Sequence, residues 1–374
     1  MPLRVIMWSR FRVGLSRLIV NATVRLSIIF GILPYGYNAR RRRFVTKNYY
    51  FAYSTLIDVV LIVLALRIWY SKMGINRKSD WSLMTVVLQL LDAGNLNILI
   101  VILWTNWKEY DAVLDMFNEF ETMESSYFEK HKYLWDNCAP FHNYLACRAF
   151  LLLLNNILTV YVYKALTSNR IDVLIIATLA NVLELAVLQF YTVVLVIYRN
   201  IWTLQQRLKH LASCGMHRRN VDNLWREIGE IAGVYLRLQR LSKRSNSIYG
   251  KHVFLYISAI VGDNISKAFL LLVLYESAIH TRYSLYIFFL VVIHTVEFWL
   301  IIAACELTLN AAYDFSQLLR SFNECMHLDD KSEREVHFCS NHIFLCSEFC
   351  SLIFSLKFWR SCVLVESQYF VCVA

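Results

Sequence analysis

Asp263 and Lys267 stand four residues apart in an otherwise apolar stretch, and His294 and Glu297 stand three apart in another. On a helix either spacing puts both side chains on one face. Asn181 and Glu184 share a face in the same way, and Asp92 lies close to Asn95 and Asn97. Catalysis has little footing among these groups. His294-x-x-Glu297 is not the His-Glu-x-x-His of a zinc protease, and His131 and His142 lack metal-ligand spacing. Neither a glycine-rich phosphate loop nor a Gly-x-Ser-x-Gly element occurs. No catalytic residue, metal or cofactor is therefore expected. What remains is polar recognition, because ionisable groups inside apolar runs are costly and must find partners. Two readings stay open. The groups can hold helices together, at about 0.6 kcal/mol each, or they can line a cavity that takes a small molecule. For Asp263 and Lys267 the simpler account is mutual neutralisation. The candidate pocket residues are Asp92, Asn181, Glu184, Lys267 and His294, with Tyr286 and Phe289 as aromatic lining.

The elements that would position them are read from the apolar runs. Hydrophobic residues make up 57% of the 374 and charged residues 18%, against about 45–50% and 25% in soluble domains. Six segments are long enough, at about 20 residues, to cross a bilayer as helices: Phe51–Ser71, Leu83–Trp104, Leu145–Leu166, Val173–Tyr198, Val253–Glu276 and Ser284–Cys305. The period-2 alternation of a β-barrel is absent. The fold class is all-α, a polytopic helical membrane protein. Leu18–Tyr37, interrupted by Arg25, Gly31, Pro34 and Gly36, reads as an interfacial or re-entrant segment. The tail Ile343–Val373 is apolar but carries Glu348, Lys357, Arg360 and Glu366, and makes a doubtful seventh span.

Lysine and arginine set the orientation. Residues 1–50 hold ten and no acid, 105–144 hold three, 199–252 eleven and 306–342 three; the opposite loops hold five. The basic side belongs in the cytosol, so the N-terminus is expected inside. That opposes a G-protein-coupled receptor, whose N-terminus lies outside. A secondary transporter would want inverted repeats and broken helices; no proline lies inside a span. The net charge of +10 reads as topology and contact with anionic lipid, not nucleic-acid binding. Two internal loops carry helical stripes: Tyr110, Val113, Leu114, Phe117 and Phe120 in one, and Leu224, Ile228, Ile231, Tyr235, Leu238 and Leu241 in the other. Each stripe packs on its neighbours or forms a surface that holds subunits together.

Taken together, the arrangement resembles the insect gustatory receptors. The resemblance rests on Leu18–Arg43 with Gly31-Ile32-Leu33-Pro34-Tyr35, on Asp222–Tyr249 with its leucine stripe and Asn246, and on Ala311-Ala312-Tyr313 and Glu333-Arg334-Glu335. It spans roughly residues 15–338. The family implies a ligand-gated, non-selective cation channel that detects tastants, a homo- or hetero-tetramer whose last helix lines the pore and whose outer half holds the ligand pocket. The chain departs from the pattern at its end. The Thr-Tyr and Gln-Phe pair of the last helix is missing; Glu366-Ser367-Gln368-Tyr369-Phe370 stands there without a preceding Thr-Tyr, and no glycine follows Gly262. Cys339, Cys346, Cys350, Cys362 and Cys372 crowd the same region, a composition shift expected of an altered end, and a non-conducting receptor remnant is the alternative reading that this tail motivates.

Overall fold

A computed structural model describes residues 3–38, 40–76, 83–166, 170–215, 221–276 and 281–326. The long helices are α1 (Leu3–Ile29), α2 (Asn48–Asn76), α3 (Leu83–Lys108), α6 (Ala139–Leu166), α7 (Arg170–Gly215), α8 (Val221–Glu276) and α9 (Thr281–Met326). Between α3 and α6 lie α4 (Tyr110–Ser126), a single 3-10 turn and the short α5 (Lys132–Trp135). The chain is an all-α helical membrane protein, and the six expected segments fall one each within α2, α3, α6, α7, α8 and α9. Among the described residues, Asn48–Tyr70, Ala139–Tyr161, Arg170–Ser213 and Ser284–Ser321 are long and apolar enough to cross a membrane, and Leu96–Lys108 is a shorter apolar stretch. The tail proposed as a seventh span, and Glu333-Arg334-Glu335, lie outside the described residues.

At 46 and 56 residues, α7 and α8 extend about 70 and 85 Å at 1.5 Å per residue. That exceeds the roughly 30 Å hydrocarbon core, so each carries a long extension beyond it. The loop after the fourth expected span is thus the continuation of α7 and the first half of α8. Helix α7 is central and touches α1, α2, α5, α6, α8 and α9. From Val182 to Ile201 every residue but Leu183 and Val196 is buried, as expected of a helix apolar on all sides. The second stripe is buried at Ile228, Ile231, Tyr235, Leu238 and Leu241. Tyr235 packs on Phe315 of α9 with ring centroids 4.4 Å apart. In the first stripe Val113 is buried, and α4 lies against α8, where Arg237 meets Glu119 at 3.5 Å and Arg244 meets Asp115 at 3.1 Å.

The segment Leu18–Tyr37 is two structures. Helix α1 ends at Ile29, and a small hairpin follows, in which β1 (Gly36–Asn38) pairs antiparallel with β2 (Arg43–Val45). Periodicity read through the apolar run missed the hairpin because each strand is only three residues long. The side-chain amide of Asn118 accepts from Phe44 N at 2.8 Å and donates to Phe44 O at 3.1 Å, pinning the hairpin to α4. The last carbonyls of α1 are orphaned, as at any helix end, and α2 supplies donors. Tyr53 Oη donates to Ile29 O at 2.6 Å, and Ser54 Oγ donates to Gly31 O. Gly31 has φ +75°, and a Cβ there would sit 3.1 Å from Ile57 Cβ and 3.2 Å from Ser54 O. Left-handed backbone and close approach both require glycine. Gly31→Val is expected to cost about 1–3 kcal/mol, visible as a lower Tm of the purified protein, whereas Gly14→Ala, with nothing within 4 Å of its Cβ, should leave Tm unchanged or raised.

Candidate functional site

Arg148 lies two turns into α6 with none of its surface exposed. A guanidinium in an apolar bundle needs carboxylates around it. Its Nη2 donates to Glu184 Oε2 of α7 at 2.7 Å, and its Nη1 forms an ion pair with Glu297 of α9. Tyr256 of α8 donates its hydroxyl to the other oxygen of Glu184 at 2.6 Å. Four helices therefore meet on one arginine. A second group adjoins the first. Asp263 and Lys267, one turn apart on α8, are ion-paired, and His294 of α9 places Nδ1 3.2 Å from Asp263 Oδ2 and 3.4 Å from Lys267 Nζ. Glu184, His294 and Glu297 bring one donor atom each within 4.8 Å of one another, so the two groups form one network. Such a donor set is compatible with a divalent cation, but the Arg148 guanidinium already sits on both carboxylates.

The network draws together three of the residues expected from the sequence: Glu184, Lys267 and His294. Asn181 lies about one turn from Glu184 on α7 and is half-buried, with its Nδ2 bonded back to Ala177 O at 2.8 Å. Tyr286 lies about two turns before His294 on α9, its ring 4.5 Å from that of Tyr161 on α6. Phe289 is 45% exposed on the outside of α9, away from the network. Asp92 belongs to α3, and its side chain lies outside the described residues. The pairing of Asp263 with Lys267 is the one that helical spacing alone implies.

Sequence reasoning missed Arg148 and Tyr256, and it noted Glu297 without placing it in the site. The signal for Arg148 was present. It is the only cation between Lys132 and Lys164, and it follows the start of the expected span by three residues. Near a span end an arginine can be taken to snorkel to the interface; here α6 starts at Ala139 and buries Arg148 instead. Tyr256 carried no signal, since tyrosine is common in this chain, with 22 copies.

Residues 20–367 match the family described as 7tm Chemosensory receptor. Among similar proteins of Drosophila melanogaster, "Putative gustatory receptor 22a" is 24% identical over 344 residues, covering 88% of this chain and 86% of that protein. Its 22b counterpart is 26% identical over 346 residues, at 89% and 86% coverage. "Gustatory receptor for bitter taste 22e" is 22% identical over 354 residues, at 89% and 88%. The family match takes in the end of α1, the helical extensions and the helices that build the buried network. The chain belongs to the 7tm chemosensory receptor family, among the insect gustatory receptors.

Proposed function

We propose that this chain is a subunit of a ligand-gated, non-selective cation channel that detects small-molecule tastants in the plasma membrane of sensory neurons, with its N-terminus in the cytosol. The observation that carries this reading is the family match over residues 20–367, alongside a relative whose printed name assigns it to bitter taste. The buried network adds physical support. Five ionisable side chains and a histidine inside an apolar bundle are retained at a cost that helix packing alone does not require. With the N-terminus inside, Asn181, Lys267, His294 and Tyr286 lie at or outward of the Arg148 centre. A ligand entering from outside would meet them first and compete for their hydrogen bonds. It gates only insofar as it prefers the open arrangement of α6–α9 over the closed one. Assembly as a homo- or hetero-tetramer with other gustatory receptors follows from the same reading. Whole-cell recording tests it. Cells expressing this chain, alone or with co-expressed relatives, should show inward current when a panel of bitter small molecules is applied. An N-terminal epitope should stain only after permeabilisation. Silence in both settings despite surface expression, or staining of intact cells, would overturn the proposal.

A further inference from the structure

A cavity of about 410 Å³ opens between α1, the β-hairpin, α4, α5 and the starts of α6 and the α7 extension. It lies at the opposite end of the bundle from the tastant-facing groups proposed above. Its volume is in the range of sites for small ligands. Four of the eight charged residues on its wall are matched in two ion pairs, and a neutral donor serves a fifth. Arg17 pairs with Asp136 at 2.9 Å, Arg42 pairs with Glu129 at 2.6 Å, and Tyr37 donates to Glu121 at 2.9 Å. His142 is held by Ser16 at 2.8 Å and by Asp136 O at 3.2 Å.

Arg199 is the buried cation on that wall. It is only 8% exposed, yet no carboxylate among the described residues pairs with it, and its Nε lacks a hydrogen-bond partner there. Its guanidinium carbon lies 3.6 Å from the ring centre of Trp135 and 4.4 Å from that of Phe141. Aromatic contact of this kind stabilises a desolvated cation but supplies no acceptor. A guanidinium that close to ring centres makes its hydrogen bonds through its in-plane N–H donors, and those need an acceptor the rings do not supply. That in-plane geometry matches the oxygens of a phosphate, which takes two parallel N–H donors. Arg12, on the α1 turn beside the cavity, also has a buried Nε without a partner among the described residues. The acid nearest in effect to Arg199 on the wall is Glu124, whose carboxyl burial raises above its ordinary range while the Arg199 charge draws it down. The approach is basic as well: Arg40, Arg41 and Arg43 flank Arg42, and the first fifty residues carry no acid. Such a field concentrates anions at the mouth.

We propose that this cavity binds a phosphomonoester group, with Arg199 as its central bidentate donor. The group can be borne by an inner-leaflet lipid headgroup or by a soluble organic phosphate, and the two sources are separated by experiment. Purified full-length protein in nanodiscs of phosphatidylcholine is compared with nanodiscs containing phosphatidylinositol 4,5-bisphosphate, and with nanodiscs containing phosphatidylserine at matched charge. Inositol 1,4,5-trisphosphate is added to the detergent-solubilised protein in a parallel arm. The bisphosphate lipid should raise Tm more than charge-matched phosphatidylserine does, and Arg199→Gln should abolish the difference. Binding of the soluble trisphosphate in detergent, weakened at least tenfold by Arg199→Gln, assigns the site to any phosphomonoester. A lipid effect without trisphosphate binding, still dependent on Arg199, assigns it to the headgroup at the membrane surface. Should Arg199→Gln fail to fold, Arg199→Lys keeps the charge but loses the paired donors and should weaken binding severalfold. Equal shifts with phosphatidylserine, or binding indifferent to Arg199 substitution, would overturn the proposal.

Discussion

Replacing Arg148 by methionine is expected to destabilise the protein by about 3–5 kcal/mol, the range for breaking a buried ion pair from one side. The substitution removes little volume but leaves Glu184 and Glu297 facing each other, both buried, with their shared counter-charge gone. Tyr256 can satisfy only one oxygen of Glu184. Thermal denaturation followed by size-exclusion chromatography of detergent-solubilised protein reads the effect, as a lower Tm and a smaller monodisperse peak. The cost comes mainly from the stranded carboxylates, and this has its own test. The triple variant Arg148→Met, Glu184→Gln, Glu297→Met should recover much of the lost Tm, because apolar or neutral replacements of a buried ion cluster are often tolerated. A single Arg148→Met protein with wild-type Tm would contradict the network.

The second large effect is expected at Phe315→Ala, again about 3–5 kcal/mol for a fully buried phenylalanine. Phe315 is completely enclosed, packed against Tyr235 of the α8 extension. The same thermal assay applies. Tyr235→Phe supplies the contrast. It keeps the ring and loses a hydroxyl contact to Ala312 O that is already 3.4 Å long, so its cost should stay under about 1 kcal/mol. If the two variants lost equal stability, the ring packing would not be what joins the helical extensions beyond the hydrocarbon span.

Membrane helices were legible because lipid leaves a chain little choice. A run of twenty apolar residues must satisfy its backbone within itself, so composition and run length suffice to mark α2, α6, α7 and α9. The leucine stripe of Leu224 to Leu241 was legible for a related reason: a period near 3.6 defines a face wherever the helix goes. Its burial partner was not, since two readings differed only in what the stripe meets. The three-residue strands left no periodic trace, and their docking depends on Asn118, 74 residues from Phe44.

The same division runs through the candidate site. Local spacing alone decided that Asp263 and Lys267 are partners, because four residues along a helix is one turn. It could not decide that Arg148 faces Glu184 and Glu297, which lie 36 residues away on α7 and on the distant α9, or that Tyr256 closes the group. Nor could it show that Arg199, one of eleven basic residues between 199 and 252, is buried against two aromatic rings. Periodicity says which residues share a face of one helix. Which faces meet is settled by the packing of all the helices at once, and at Arg148 four of them had to agree.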